Sequence, residues 1–149
     1  MTSTERQSPV GAAWCERRRR IEAAGDRTIQ MALAPPGNMA GRETGHQVIR
    51  SAAGVGANLK EAQTVMIQTG YTHKVSISLR EARETLYRMR RIERNDLWAA
   101  KRLLPLKGAW GEIADILTVT QKAERTSGMT PSVSLLTSHF SLPHIGAKP

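Results

Sequence analysis

The sequence has little of several residue types on which other protein classes depend. Its 149 residues include one cysteine, Cys15, which excludes an internal disulfide framework and a multi-cysteine zinc module. Six aromatic residues are too few for an aromatic-rich β-sandwich. No apolar run approaches the roughly 18–20 residues of a membrane span, and the segment after Met1 lacks the apolar stretch of a secretory signal. We therefore expect one cytoplasmic domain with no membrane partner.

The apolar residues predict helices in the middle of the chain. In three segments they recur at alternating spacings of three and four residues, which is the pattern of a helix with one buried face. These residues are Val48, Ala52, Val55, Leu59, Ala62 and Met66; Val75, Leu79, Ala82, Leu86 and Met89; and Leu103, Leu106, Trp110, Ile113 and Leu117. A weaker pattern precedes them at residues 16–34, with Ile21, Ala24, Thr28 and Leu33.

Helix-breaking residues separate these four segments. The run Pro35-Pro36-Gly37-Asn38 must end the first helix, Thr69-Gly70 divides the second from the third, and Asn95-Asp96 divides the third from the fourth. Such short links imply antiparallel neighbours. We predict an all-α, antiparallel up-and-down four-helix bundle over residues 14–125, with a flexible leader over 1–13 and a mostly irregular tail over 126–149. The fourth helix starts near Pro105 or kinks there.

The second helix contains unusually small residues between Ser51 and Asn58. Its glycines, Gly54 and Gly56, together cost roughly 2 kcal/mol in helix propensity. Close approach of a neighbouring helix would offset that cost. A phosphate-binding glycine loop is the alternative, but the Lys-Ser/Thr pair of a P-loop is missing. Asn58 lies next to the apolar seam, and we interpret it as a buried polar group that fixes the helix register.

Two stretches, Gly41–Gln63 and Tyr71–Ile92, resemble a bacterial four-helix bundle protein family. Its founding members are encoded in intervening sequences of 23S ribosomal RNA genes. The motifs that carry the resemblance are Arg50-Ser51, Val55-Gly56-Ala57-Asn58, Glu61-Ala62, His73-Lys74, Glu81-Ala82 and Glu84-Thr85-Leu86-Tyr87. The chain departs from the family at Arg88, where relatives commonly have Trp, and at Ala53-Gly54, where they often have Thr-Ser.

This resemblance implies a fold and an assembly more than an activity. The family is similar in fold to the accessory protein of diversity-generating retroelements, a pentamer that works with a reverse transcriptase and nucleic acid. It implies a homo-oligomer, a pentamer by this likeness, with RNA or DNA and a reverse transcriptase as partners. It also implies a helix-packing motif made of Arg50, Ser51, Gly54, Gly56, Asn58 and Glu61. The family has no established enzyme activity.

The net charge of +9 points to a polyanionic partner and is most concentrated between Arg80 and Arg94, with six arginines against three glutamates. At 100° per residue, one flank of the third helix carries Arg80, Arg83, Tyr87, Arg91 and Arg94, and His73 joins it. Arginines with an interleaved aromatic suit phosphate contacts and base stacking. Arg17 and Arg18, from a run of four arginines, are further candidates.

Two hypotheses stay open for these charges. One is a non-catalytic, oligomeric protein that binds RNA or a nucleoprotein through basic helix faces. The other is an assembly scaffold that binds a protein partner without contacting nucleic acid. Ordinary ion pairs would favour a solvated or intersubunit face, because Glu84 is four residues from both Arg80 and Arg88, and Glu93 is three from Arg90.

No set of residues in the sequence indicates catalysis. Glu43 and His46 form one Glu-x-x-His, half of the di-metal motif of ferritin-like bundles, and that site needs a second copy and two further glutamates. Cys15 beside Trp14 is more typical of a free cytosolic cysteine than of a reactive thiol. The four histidines have no serine or cysteine partner at a recognisable spacing. We expect no enzyme activity, no metal and no cofactor.

Overall fold

The computed structural model describes residues 9–65 and 68–127. These residues form four helices, α1 (Pro9–Ala32), α2 (Met39–Ala62), α3 (Gln68–Arg94) and α4 (Ala100–Ser127), and they contain no strand. The all-α prediction is therefore confirmed. Asn38 caps α2, since its side chain accepts a 2.7 Å hydrogen bond from the amide of Gly41. The turn between α3 and α4 contains Asp96 in the left-handed region, at φ 49°.

Contacts between the helices show that neighbours run antiparallel. Between α2 and α3, Ser51 contacts Thr85 at one end and Glu61 pairs with Lys74 at the other. Between α3 and α4, Glu93 pairs with Lys107, while Ser76 accepts a hydrogen bond from Gln121. In each pair, residues later in one helix meet residues earlier in the next, which is the expected up-and-down arrangement.

Small residues let α2 and α3 approach closely. The buried Ser78 hydroxyl donates a 2.5 Å hydrogen bond to the Val55 carbonyl, so a side chain of α3 reaches the backbone of α2. Thr85, also buried, contacts the Ser51 hydroxyl at 2.8 Å. A Cβ atom at Gly54 would lie 3.1 Å from the side chain of Glu81. A side chain at Gly54 would therefore displace the Glu81 side chain of α3.

Two indole hydrogen bonds attach α1 to the rest of the bundle. The fully buried Trp110 on α4 donates to the Thr28 hydroxyl at 3.0 Å, and Thr28 itself is fully buried. Trp98, in the α3–α4 connection, donates to the Met31 carbonyl at 2.8 Å. Because these donors lie far from α1 in sequence, they close the bundle by joining its first helix to its last and to the connection before it.

The ends of α1 and α4 differ from the sequence prediction. The first helix begins at Pro9, so residues 9–13, predicted to be a leader, are helical. Leu33, predicted to lie in the apolar stripe, is 67% exposed, and Met31 is buried in its place. The fourth helix continues to Ser127, two residues beyond the predicted bundle. Residues 1–8 and 128–149, which include most of the predicted tail, lie outside the described residues.

The predicted break at Thr69-Gly70 is also wrong, since both residues belong to α3, and the connection from α2 begins at Gln63. Met66, the last residue of the predicted second seam, lies outside the described residues. Pro105 lies inside α4, which begins five residues earlier. Its missing amide removes one intrahelical hydrogen bond, so the helix accommodates Pro105 near its first turn.

Asn58 does not fix the helix register as predicted. Its side-chain amide donates a 2.8 Å hydrogen bond to the Gly54 carbonyl of its own helix, and the residue is half-buried. Polar contacts across the α2–α3 interface come from Ser51, Ser78 and Thr85 instead. These side chains are short enough to be satisfied inside a closely packed helix pair.

Two glycines in helices should respond in opposite ways to alanine. A Cβ atom at the buried Gly41 would lie 2.7–2.8 Å from three atoms of the rigid Pro36 ring, whereas nothing lies within 4 Å of one at Gly108. We expect Gly41→Ala to destabilise the protein by about 1–3 kcal/mol through overpacking. Gly108→Ala should stabilise it by about 0.5–1 kcal/mol through helix propensity. Urea unfolding measures both, and equal effects would contradict the close contact at Pro36.

The Thr28–Trp110 hydrogen bond can be tested by Thr28→Val, which keeps the side-chain shape but removes the hydroxyl. The indole N–H of Trp110 then stays buried without an acceptor, and we expect a loss of about 1–3 kcal/mol in the free energy of unfolding. Thr126→Val is the matched control, since Thr126 is exposed and bonds only to the Lys122 carbonyl of its own helix. Equal stability of the two variants would show that the indole does not depend on Thr28.

Candidate nucleic-acid interface

The outer face of α3 carries the predicted basic residues. All of them are exposed, and we call this set the α3 basic stripe: Arg80, Arg83, Tyr87, Arg91 and Arg94. The same helix buries Val75, Leu79, Ala82 and Met89 against the core. At 100° per residue the stripe lies on a flank of α3 beside this buried face, so the helical pattern that builds the core also leaves the stripe exposed.

The carboxylates near the stripe are engaged elsewhere. Glu84 pairs with Arg88 at 2.9 Å rather than with Arg80, and Glu93 pairs with Lys107 of α4 at 2.7 Å rather than with Arg90. Within residues 9–65 and 68–127, none of the four stripe arginines has a carboxylate within ion-pair distance. The stripe therefore keeps its positive charge uncompensated.

Tyr87 and Arg91 form a paired unit within the stripe. Arg91 donates a 3.2 Å hydrogen bond to the Tyr87 hydroxyl, and its guanidinium carbon lies 5.9 Å from the ring centroid. This hydrogen bond and the charge of Arg91 lower the pKa of Tyr87 from its ordinary value, and the charges of Arg88 and Arg94 act in the same direction. The ring is half exposed, which leaves aromatic surface accessible beside a cation.

The other stripe arginines make few side-chain contacts among the described residues. Arg83 lies 3.5 Å from the hydroxyl of Thr118 on α4 through its Nη2 atom. Arg80 and Arg94 form no side-chain hydrogen bond with any other residue that the structure describes. His73, placed on the same flank by the sequence, is exposed near the start of α3. The stripe thus extends along most of the helix.

The two arginines predicted from α1 do not join the stripe. Arg17 is half-buried next to Tyr71, and burial lowers its pKa from the ordinary arginine value. Burial likewise raises the pKa of Tyr71 to about 12, and the charge of Glu124 adds to that rise. Arg18 is exposed and pairs with Glu22 at 3.4 Å on its own helix. Arg17 and Arg18 therefore do not extend the unpaired charge of α3.

Carboxylates also neutralise the rest of the arginine run on α1. Arg19 forms two hydrogen bonds to Glu16 at 3.0 Å, which lower the pKa of that carboxyl, and Arg20 pairs with Glu112 of α4. In the sequence, a run of four arginines predicts a strongly basic site. The structure instead spreads them around the helix and pairs three of them with glutamates.

The remaining motif residues take different places. Ser51 and Gly54 lie at the α2–α3 interface, and a Cβ atom added at Gly56 would lie 3.8 Å from Ile21 of α1, an ordinary contact distance. Arg50 and Glu61 are exposed, and Glu61 pairs with Lys74 across the two helices. The resemblance-based packing motif therefore contains packing residues and surface residues together.

The residues weighed for chemistry are not assembled into a site. Glu43 accepts a 2.9 Å hydrogen bond from Gln47, and His46 is exposed. Cys15 is a half-buried free thiol. In the described part of the chain, no three His, Cys, Asp or Glu side chains are grouped closely enough to hold a metal ion.

Sequence reasoning missed a second basic surface, at the seam between α1 and α4. A groove of about 310 Å³ lies there, and three cations line it: Arg27, Lys101 and Arg102. Lys101 and Arg102 are adjacent in sequence, but nothing in the sequence joins them to Arg27. Only the antiparallel packing of α1 on α4, anchored by Trp110 and Thr28, brings the three together.

None of the helices formed by residues 9–65 and 68–127 is long and apolar enough to cross a bilayer.

Comparison with known proteins shows a likeness in fold. No protein-family profile matches the sequence, and no curated protein matches it. A similar solved structure is a protein of unknown function from the S23 ribosomal protein family of Bacteroides thetaiotaomicron VPI-5482. The two chains are 22% identical with a TM-score of 0.55, and the match covers 76% of this chain and 98% of that one. At this identity, the likeness shows a shared four-helix fold.

Proposed function

We propose that this protein is a non-catalytic, oligomeric accessory protein that binds RNA or a nucleoprotein through the α3 basic stripe. The observation that carries this proposal is the lack of carboxylate partners for Arg80, Arg83, Arg91 and Arg94 among the described residues. Planar guanidinium groups match phosphate oxygens in two-point contacts. A row of them along one helix suits a backbone of regularly spaced phosphates without reading its sequence.

Tyr87 adds an exposed aromatic ring, which a site for phosphates alone would not require. A half-exposed ring flanked by arginines can stack on an unpaired base, while the arginines hold the adjacent phosphates. This combination favours single-stranded or looped RNA over a continuous duplex, because duplex bases are already stacked. The likeness to an S23 ribosomal family protein and the resemblance to intervening-sequence proteins support RNA as the polyanion.

The second candidate is an assembly scaffold that binds a protein partner, such as a reverse transcriptase, without contacting nucleic acid. Exposed apolar side chains beside the α1–α2 connection favour it, since Leu33 is 67% and Met39 79% exposed. Large apolar side chains in solvent are typical of surfaces that associate. This candidate and the first share a homo-oligomer, pentameric by the family resemblance, but differ in what the arginines contact.

Charge reversal on the stripe separates the two candidates. The triple variant Arg80→Glu, Arg91→Glu, Arg94→Glu should bind a looped RNA much more weakly, and the slope of log Kd against log salt should fall by about 2, at roughly 0.7 per lost phosphate contact. The matched control is the triple variant Arg42→Glu, Arg50→Glu, Lys60→Glu, because it makes the same charge change at exposed positions of α2. Filter binding across a salt series measures both.

The RNA affinities of the wild type and the two variants decide between the two candidate functions. A control variant that keeps wild-type affinity, beside a defective stripe variant, supports the proposal. Equal losses in both variants would mean that only net charge matters and would contradict the stripe. Wild-type protein that binds no RNA at low salt would favour the scaffold instead. Circular dichroism of each variant checks that the helices are intact.

Stacking by Tyr87 makes its own prediction. Tyr87→Ala should weaken single-stranded RNA binding by about 1–3 kcal/mol, whereas Tyr87→Phe, which keeps the ring, should stay close to wild type at neutral pH. The lowered pKa of Tyr87 adds a pH test. The phenol is neutral below its pKa and anionic above it. Because this pKa is lowered, the negative charge that repels RNA forms at a lower alkaline pH than on an ordinary tyrosine, and wild-type binding should weaken there. Tyr87→Phe has no phenol and should not show this loss of binding.

Fluorescence anisotropy with a labelled oligonucleotide measures these affinities. If Tyr87→Ala bound as tightly as wild type, or if Tyr87→Phe lost as much as Tyr87→Ala, the ring would not stack on a base.

A further inference from the structure

We propose that the groove between α1 and α4 binds a phosphomonoester that carries an apolar or aromatic group, such as a nucleoside monophosphate. This site goes beyond the proposed function and uses different residues. It consists of the cations Arg27, Lys101 and Arg102 together with a mixed polar and apolar lining from α1 and α4.

Uncompensated positive charge is the first argument. Arg27, Lys101 and Arg102 line one groove of about 310 Å³, and none of them forms an ion pair with any residue in the described ranges. Elsewhere on α1 and α4, Arg20 and Lys107 do pair with glutamates. Three like charges around one concavity repel each other, and a bound anion removes that repulsion.

The number and kind of cations favour a phosphomonoester over a carboxylate. A phosphomonoester carries a charge of about −1.5 to −2 at neutral pH and offers three strong acceptor oxygens. Arg27 and Arg102 supply planar forks that match pairs of those oxygens, and Lys101 supplies a compact point charge. A single carboxylate has one charge and two oxygens, so it would leave part of this set unmatched.

The mixed lining beside the cations indicates that the phosphate carries a further group. Pro105, which is exposed, lines the groove together with the deeper Met31 and Leu106, and the exposed Gln30 amide adds a polar group able to hydrogen-bond. A volume of about 310 Å³ lies at the small end of ligand pockets. This size suits one mononucleotide.

The groove walls are held in place before any ligand arrives. Trp98 donates a 2.8 Å hydrogen bond to the Met31 carbonyl, and Trp110 donates to Thr28 one turn earlier on α1. Both indoles are buried. Because these bonds fix α1 against α4 and against the connection that precedes α4, binding does not require the helices to be ordered first, which favours affinity.

The test is calorimetric titration of the full-length protein with adenosine monophosphate, inorganic phosphate and adenosine. We expect saturable binding of the monophosphate, weaker binding of inorganic phosphate and none of adenosine. The double variant Lys101→Ala, Arg102→Ala should raise the Kd for the monophosphate at least tenfold. The matched control Lys122→Ala, Arg125→Ala removes two exposed cations of the same helix outside the groove and should stay within twofold.

A pair of oligonucleotides, with and without a 5′ phosphate, distinguishes the source of the ligand. A groove-dependent gain from the 5′ phosphate identifies a strand end, and monophosphate binding with no such gain identifies a free nucleotide; either supports the site. No saturable monophosphate binding, equal losses in both double variants, or inorganic phosphate binding as tightly as the monophosphate would overturn the proposal. The stripe variant Arg80→Glu, Arg91→Glu, Arg94→Glu should keep monophosphate binding, so failure of the RNA proposal stays separate.

Discussion

The packing of the first helix on the last centres on one buried hydrogen bond. The Trp110 indole on α4 donates to the Thr28 hydroxyl on α1, and both side chains are fully buried. The other helix pairs follow one another in sequence and are brought together by short connections. The pair α1–α4 has no such connection, so side-chain contacts must define it. Because the Trp110 indole must meet the Thr28 hydroxyl, this hydrogen bond also fixes the position of the two helices along their axes.

Pairing of charges then decides which surfaces remain basic. The chain has more arginines and lysines than carboxylates, so some cations stay unpaired wherever the glutamates fall. Glu16, Glu22 and Glu112 neutralise most of the arginine run on α1. On α3, Glu84 and Glu93 pair with residues off the stripe. Net charge alone would not have distinguished the neutralised run from the free stripe.

The sequence predicted what depends on local periodicity. The seams containing Val55, Leu79 and Trp110 are buried as expected, because a buried helical face repeats every three to four residues whatever its partner. The outward direction of Arg80 and Arg91 follows from the same periodicity. Positions at the ends were harder, and Leu33 was assigned to the core although it is largely exposed. Helix ends depend on caps and tertiary contacts that periodicity does not encode.

What the sequence could not predict depends on contacts between distant residues. Arg17 looks identical to Arg18 in sequence, yet one is half-buried beside Tyr71 of α3 and the other pairs with Glu22 on the surface. The groove cations Arg27 and Lys101 are over seventy residues apart. Their proximity follows only from the antiparallel docking of α1 on α4, which no local pattern encodes.

Stability does not explain the unpaired arginines. Exposed side chains on a helix contribute little to the free energy of unfolding, usually within about 0.5 kcal/mol. Like charges spaced three residues apart, such as Arg80 with Arg83 and Arg91 with Arg94, are mildly unfavourable in a helix. The same fold would form with glutamates interspersed at these positions, as it does on α1. The charges of the stripe therefore oppose folding slightly, and the stability of the bundle gives no reason for their position.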